Sequence, residues 1–542
     1  LQHPQAVAMN KQPGQNDKHN HAQTCPHIHT AHSNECPVKP SAASCPYHGK
    51  SNAATNGPAA RRTASIAAHL FQAENAYQEQ TSVLPFEAIP GPRTEDERTY
   101  RTDNHAYLMR LHDQYGDVFR IIRRGKPVVF VRSADLVRRV LLSEDDFDKT
   151  FDADHASTPT LQYLMNIMQP LLKTAEVFKS TDNHQHRFLL KSIFNASDVF
   201  APGFLRVVRA TLETWPTHAK HFDTLRASHH LVFAAVMVII MGENQSYTKE
   251  FYDEATNVLE HFEQRYSKPM FDVKINEEDE AVMARLEAAG LAVVKEFRRR
   301  IGEGTQTLPG QSEEITKRSM LYTMMQVGSG HGGPGGDAAK FSDEEICGTM
   351  INTLLAASEG PASGLSTTMY DLVRNPEVQE RFGREVRSLA QQFTGADYLN
   401  ELLENQYVHG TVLEGLRMKT PVAIVQRRAM HDTTVGSYAV PKGTIIGVCI
   451  AAVHKDKNQF SCPHQFDPLR SGLDHTFLDR EQCFMTFSGG PRGCPGRHLA
   501  VTLLKIAASS IVDKYRLVDT DQPQDIPGKV YKFVEWHVGG LF

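Results

Sequence analysis

One cysteine in this chain sits where its sulfur could serve as a metal ligand. Cys494 lies in Phe487-Ser-Gly-Gly-Pro-Arg492-Gly-Cys494-Pro-Gly-Arg-His-Leu-Ala500, a Gly- and Pro-rich turn that runs into a segment able to form a helix, Leu499 to Val512. Such a turn aims backbone N–H groups and the positive end of a helix at the sulfur, which favours the thiolate over the thiol. A thiolate held by backbone donors, with no second cysteine beside it, suits a single axial metal bond. His498 follows at the spacing of a second helical ligand and reads as a surface histidine.

Two further groupings carry chemistry. Ser342-Asp-Glu-Glu345 is a capping box that starts a long helix, from Asp343 to about Val373. Inside it stands Leu354-Leu-Ala-Ala-Ser358-Glu359-Gly360-Pro361, where the proline removes an i to i−4 hydrogen bond. A kink and a freed carbonyl are expected there. Glu414-Gly-Leu-Arg417 puts a carboxylate and a guanidinium on one helix face.

In this order and spacing, the three groupings resemble the cytochrome P450 family. Phe-x-x-Gly-x-Arg-x-Cys-x-Gly is similar to that family's haem-binding loop, and the resemblance extends over roughly residues 85 to 542. It implies a mainly α fold with a small β region enclosing one haem b, with Cys494 as the thiolate ligand of its iron. Arg427, Arg492, Phe487, and His186 or Arg187 are the residues it implies for holding the cofactor, the cations by pairing with its propionates. Glu414 and Arg417 match the family's Glu-x-x-Arg ion pair, which fixes the chain behind the haem. The third member, usually an Arg in Pro-x-Arg-Phe, is replaced by Gln465 in Pro463-His-Gln465-Phe466.

One departure concerns the reaction. Glu359 stands where the family has an acid, but Gly360 stands where it has a Thr whose hydroxyl helps supply protons for dioxygen activation. Two expectations follow. Either the enzyme is a monooxygenase in which Glu359, Ser358 or a substrate hydroxyl relays protons through water, or it does not reduce O2 at all. The second class comprises hydroperoxide isomerases and lyases, dehydratases and peroxygenases. No Arg precedes Pro361, unlike the peroxide-using fatty-acid branch, and the Cys494 loop has no insertion, unlike the plant hydroperoxide branch. A non-enzymatic haem sensor would differ by turning nothing over. A monooxygenase would need a separate electron donor, of ferredoxin or flavodoxin type or a reductase, and Arg497 is a basic residue placed to help dock an acidic one.

The elements that must position these residues are legible in outline. Order is expected from Leu84-Pro-Phe-Glu-Ala-Ile-Pro-Gly-Pro92, then a helix over Leu108 to Tyr115 and strands at Val118–Ile122 and Pro127–Val131. Ser133 is expected to cap a helix over Ala134 to Leu142. From about 155 to 440 the pattern is mainly helical. Its Gly-rich interruption at 327–340 lacks the ending of a phosphate cradle and reads as a linker.

Residues 1–80 differ from the catalytic unit expected over 81–542. They are rich in His, Asn and Ala and too poor in Leu, Ile and Val to offset chain entropy, so a disordered tail is expected. Cys25-Pro26, Cys36-Pro37 and Cys45-Pro46 recur there without the close spacing of a zinc site, and Arg61 and Arg62 leave open a targeting role. With 542 residues, a net charge of −5 and no basic run, nucleic acid is excluded as a partner. Eight irregularly spaced cysteines suggest no disulfide framework and a reducing compartment, the cytoplasm or an organelle matrix. No run of about 18 apolar residues is apparent, so a soluble protein without a membrane-spanning helix is expected.

Overall fold

The computed structural model describes residues 9–10, 83–92, 104–123, 125–149, 167, 184–216, 223–242, 248–266, 274–307, 311–327, 341–470 and 484–517. The expected tail, the targeting segment and most of the Gly-rich interruption lie outside these residues. Within the first 80, only Met9–Asn10 is described, as a two-residue strand paired antiparallel with Arg516–Leu517.

Helices dominate: α1 (His184–Phe194), α2 (Thr224–Met241), α3 (Glu277–Glu303), α4 (Asp343–Arg374), α5 (Gln406–Met418) and α6 (Arg497–Lys514). All of these but α3 build the site, and α3 packs against α4, with Gly290 on Cys347 and Met350. α4 begins at the expected capping box: Ser342 Oγ accepts from the Glu345 backbone N–H at 3.1 Å, and the Glu345 carboxylate accepts from the Ser342 N–H at 2.7 Å. Its 32 residues span about 48 Å. The helix continues through Pro361 rather than ending there, because packing on every side holds it; most of its residues are buried.

α2 runs antiparallel to α4. Thr224 faces Ser366 (3.3 Å) at one end of α2, and His229 faces Glu359 (3.4 Å) five residues further along it. α2 is long and apolar enough, by length and composition, to cross a membrane, with a mean hydropathy of 1.6. Eleven of its residues are buried, among them Leu231, Val232, Ala235 and Ile240, against α4 and the surrounding helices. Burial on nearly all sides is what makes a core helix apolar all round.

The β region is small, as expected. Its five-stranded sheet contains β1 (Val118–Arg123), β2 (Lys126–Val131), β3 (Phe147–Asp148), β4 (Ile424–Ala429) and β5 (Ile445–Cys449), in the order β1-β2-β5-β4-β3. β2 and β5 pair in parallel, with Val128 opposite Ile445; the other pairs are antiparallel. Phe119 and Phe130 stack at 5.5 Å across β1 and β2. Ala134–Leu142 is helical as expected, with Ser133 at its N-cap, but the Ser133 side chain makes no capping bond.

α4 and α5 cross closely because both carry glycine at the crossing. A Cβ on Gly415 would lie 2.5 Å from Thr368 Oγ1, and one on Gly364 would lie 2.7 Å from Leu416 Cδ2. Cys347, Cys449 and Cys494 are in no disulfide, whereas Cys462 is disulfide-bonded. One disulfide is not a framework, yet it departs from a chain whose cysteines all stay reduced.

Candidate active site

The Cys494 turn is held by its own backbone. The Cys494 N–H donates to the Phe487 carbonyl (2.8 Å), Gly493 N–H to Gly490 O (2.9 Å), and Ser488 N–H to Met485 O (2.8 Å). Gly490 has φ +71° and sits so near the chain at Leu141 that a Cβ would meet that carbonyl at 2.3 Å. Only glycine fits there. α6 starts at Arg497, three residues past the sulfur-bearing residue, so the positive end of a helix dipole lies beside the turn, as the sequence suggests.

Cys494 opens into a cavity of about 160 Å³. One wall is the turn itself, through Phe487, Ser488, Arg492 and Gly496, continued by Leu499, Leu503 and Leu504 of α6. Facing it are Thr353, Ala356, Ala357, Gly360 and Pro361 of α4. Val236 and Ile239 of α2, Leu190 and Phe194 of α1, and Val422 and Val425 complete an apolar lining. The two cations on it are Arg492, 7% exposed, and Lys149, the residue after β3.

The sequence-derived residues distribute around this space. Cys494, Phe487, Arg492 and Gly360 line the cavity. Arg427 does not line it, but is buried on β4 on the same strand face as Val425, which does. His186 and Arg187 fall in the first turn of α1, and their side chains lie outside the described residues. Glu359 is 8% exposed and turned towards His229 of α2. Ser358 is not among the lining residues, and its hydroxyl donates to the Leu354 carbonyl at 2.6 Å, back along its own helix, which leaves its oxygen able to accept.

Behind the turn, the ion pair is buried and bidentate. Arg417 Nε and Nη2 donate to Glu414 at 2.7 and 2.8 Å, and both residues are almost fully enclosed. The third member is Arg470, not Gln465. Arg470 Nε donates to Glu414 Oε1 at 3.0 Å, while Gln465 contributes its backbone carbonyl, accepting from both guanidiniums. A guanidinium five residues further along the loop thus occupies the place where the sequence pattern leaves an amide.

This network reaches the cysteine turn through His454. Arg417 Nη1 donates to the His454 carbonyl (2.8 Å), and the Met485 N–H donates to His454 Nε2 (2.8 Å). The ring stacks on Phe484 at 5.4 Å. Burial first, then the charges of Arg417 and Lys455, push the His454 pKa down to about 3, so the ring is neutral and able to accept. Thr486 adds a bond to the Leu416 carbonyl (3.2 Å). Residues 484–486, which lead into the turn, are thereby pinned to α5.

A thiol in a backbone-held turn, an apolar cavity above it and buried cations on or beside its wall fit a flat, largely apolar, carboxylate-bearing ligand with a metal at its centre. Among the described residues no other cluster of His, Cys, Asp or Glu could hold a metal ion.

Comparison with known proteins agrees with this geometry. The sequence model described as Cytochrome P450 matches residues 97–535. Cytochrome P450 26B1 of Xenopus tropicalis is 22% identical over 426 residues, covering 77% of this chain and 78% of that one. Leukotriene-B4 omega-hydroxylase 3 of Mus musculus is 28% identical over 188 residues, 34% of this chain and 36% of the relative. Several of the relatives are matched in this way over only about a third of their length. The crystal structure of the cytochrome P450DA heme domain superposes with a TM-score of 0.62 at 19% identity, covering 80% of this chain and 91% of that one, and so shares its fold.

Proposed function

Because the chain belongs to the cytochrome P450 family, whose members hold a haem, we propose that it is a haem b-dependent monooxygenase that places one oxygen atom of O2 on a small organic substrate. The observation that carries this reading is the Cys494 thiol, in no disulfide, in its backbone-held turn, opening onto an apolar cavity with α4 as the facing wall. When bound, the haem supplies the redox chemistry and Cys494 its thiolate ligand. Arg492 and Lys149 on the cavity wall, with Arg427 beside it, are the cations for two propionates; His186 and Arg187 are further candidates at the start of α1.

The chain's own task is to exclude water and to hold a proton near Gly360. The apolar lining does the first. For the second, Gly360 has no hydroxyl, so the carboxylate of Glu359, with His229 at 3.4 Å, is the proton-holding group next to it. Pro361 has no N–H, which leaves the Ala357 carbonyl without its usual helical donor, and Ala357 lines the cavity. That carbonyl is placed to accept from an ordered water between Glu359 and the substrate. Electrons come from a separate partner of ferredoxin, flavodoxin or reductase type, in an intracellular compartment that supplies one.

The absent hydroxyl at Gly360 is also what favours a second reading, an oxygen-independent isomerase, lyase or dehydratase, or a peroxygenase. Turnover separates the two. The monooxygenase requires NAD(P)H, a donor protein and O2 together, and stops when any is withheld. Full turnover under argon with no reductant would contradict it and establish the second reading.

A further inference from the structure

The central helix carries several buried hydroxyls; of the two without a hydrogen-bond partner among the described residues, Thr353 and Ser363, only Thr353 lines the cavity. Ser358 donates to the Leu354 carbonyl (2.6 Å), Thr367 to Ser363 O (2.9 Å) and Thr368 to Gly364 O (2.7 Å), each closing back on its own helix. Thr353 is 4% exposed, and its Oγ1 has no hydrogen-bond partner among the described residues. It lines the cavity. A buried hydroxyl without a partner is unfavourable, so this one is expected to meet its partner in something that enters the cavity.

We infer that Thr353 is a substrate-positioning residue that selects a mainly apolar molecule bearing one hydroxyl or carbonyl oxygen; this rests on the reading of the cavity as the substrate site of a haem-thiolate enzyme. A Thr hydroxyl both donates and accepts, so either oxygen type suffices. Thr353, Ala357 and Gly360 recur at i, i+4 and i+7 and share one helix face. The hydroxyl therefore stands roughly 10 Å along the axis from Gly360, the other end of that wall. Val236, Ile239 and Val425 offer it no polar competitor. One polar group in an apolar pocket fixes the orientation of a ligand rather than its affinity for greasy matter in general. The lining's other hydroxyl without a partner, Ser488, belongs to the cysteine turn on the facing wall.

The test uses the haem-loaded full chain and a matched pair of probes, decan-1-ol and decane, with binding read from the ligand-induced shift of haem absorption. Wild type prefers the alcohol. Thr353→Val raises the Kd of decan-1-ol about 5- to 10-fold and leaves that of decane within about 2-fold, the size expected for one neutral hydrogen bond. Thr353→Ser restores the preference. Because the hydroxyl makes no bond to any described residue, Thr353→Val is expected to melt no earlier than wild type; a lower Tm would assign it a structural role and overturn the inference. So would the absence of an alcohol preference in wild type, or an equal change for both probes. The carbon monoxide spectrum of the same samples separates the two levels of failure: a thiolate spectrum without alcohol preference overturns the role of Thr353 alone, and the lack of a thiolate spectrum overturns the reading beneath it.

Discussion

Glu414→Ala lowers stability by about 3–5 kcal/mol, because it leaves two buried guanidiniums facing each other with no carboxylate between them. Arg417 is 1% exposed and Arg470 7%, and both donate to Glu414. The Asp467 N–H loses its acceptor as well, at 3.0 Å. The damage spreads to the cysteine turn, since Arg417 also holds the His454 carbonyl and His454 holds the Met485 N–H. Denaturant unfolding and haem content are expected to fall together. Gln465→Ala serves as the control: Gln465 contributes its backbone carbonyl, so the substitution is expected to cost under about 1 kcal/mol. Equal losses in the two variants would show that the third member had been misassigned.

Glu359→Gln slows turnover by roughly 10²–10⁴, the range for loss of a positioned acid or base. The amide keeps the size of the carboxyl group and can still approach His229, so folding and probe binding stay near wild type. What is lost is the carboxylate next to the cavity wall at Gly360. Under the oxygen-independent reading no protons are delivered to O2, and the same substitution changes little. A fall of less than about 3-fold, in an enzyme that still consumes O2, would remove Glu359 from the relay.

Local signals made much of this protein legible before its structure. The capping box at Ser342 and Glu345 and the start of α4 depend on neighbours three residues apart, and they stand where the sequence puts them. The same holds for the strands flanking Gly125, extended by one residue each, and for the backbone-held turn at Cys494. What stayed hidden depends on distant parts of the chain. Arg470 joins Glu414 across 56 residues, and no periodicity marks a loop arginine as the partner of a helix glutamate. His229 reaches Glu359 only because α2 lies antiparallel on α4. Lys149 follows an edge strand of two residues, too short to read from its pattern. Thr353 looks like any core threonine until the fold shows that its hydroxyl bonds to none of the described residues. α2 shows no continuous apolar run in the sequence because its first turns carry Arg226, His229 and His230.

The measurement closest to the central claim, that Cys494 is the thiolate ligand of a haem in this cavity, is the spectrum of the reduced carbon monoxide complex of the full chain, native and Cys494→Ser. The native protein is expected to show its Soret band at about 450 nm, the position of thiolate ligation, and the serine variant to lose that band. A native band at about 420 nm in a folded, haem-loaded sample, or a 450-nm band that survives the replacement of Cys494, would contradict the assignment.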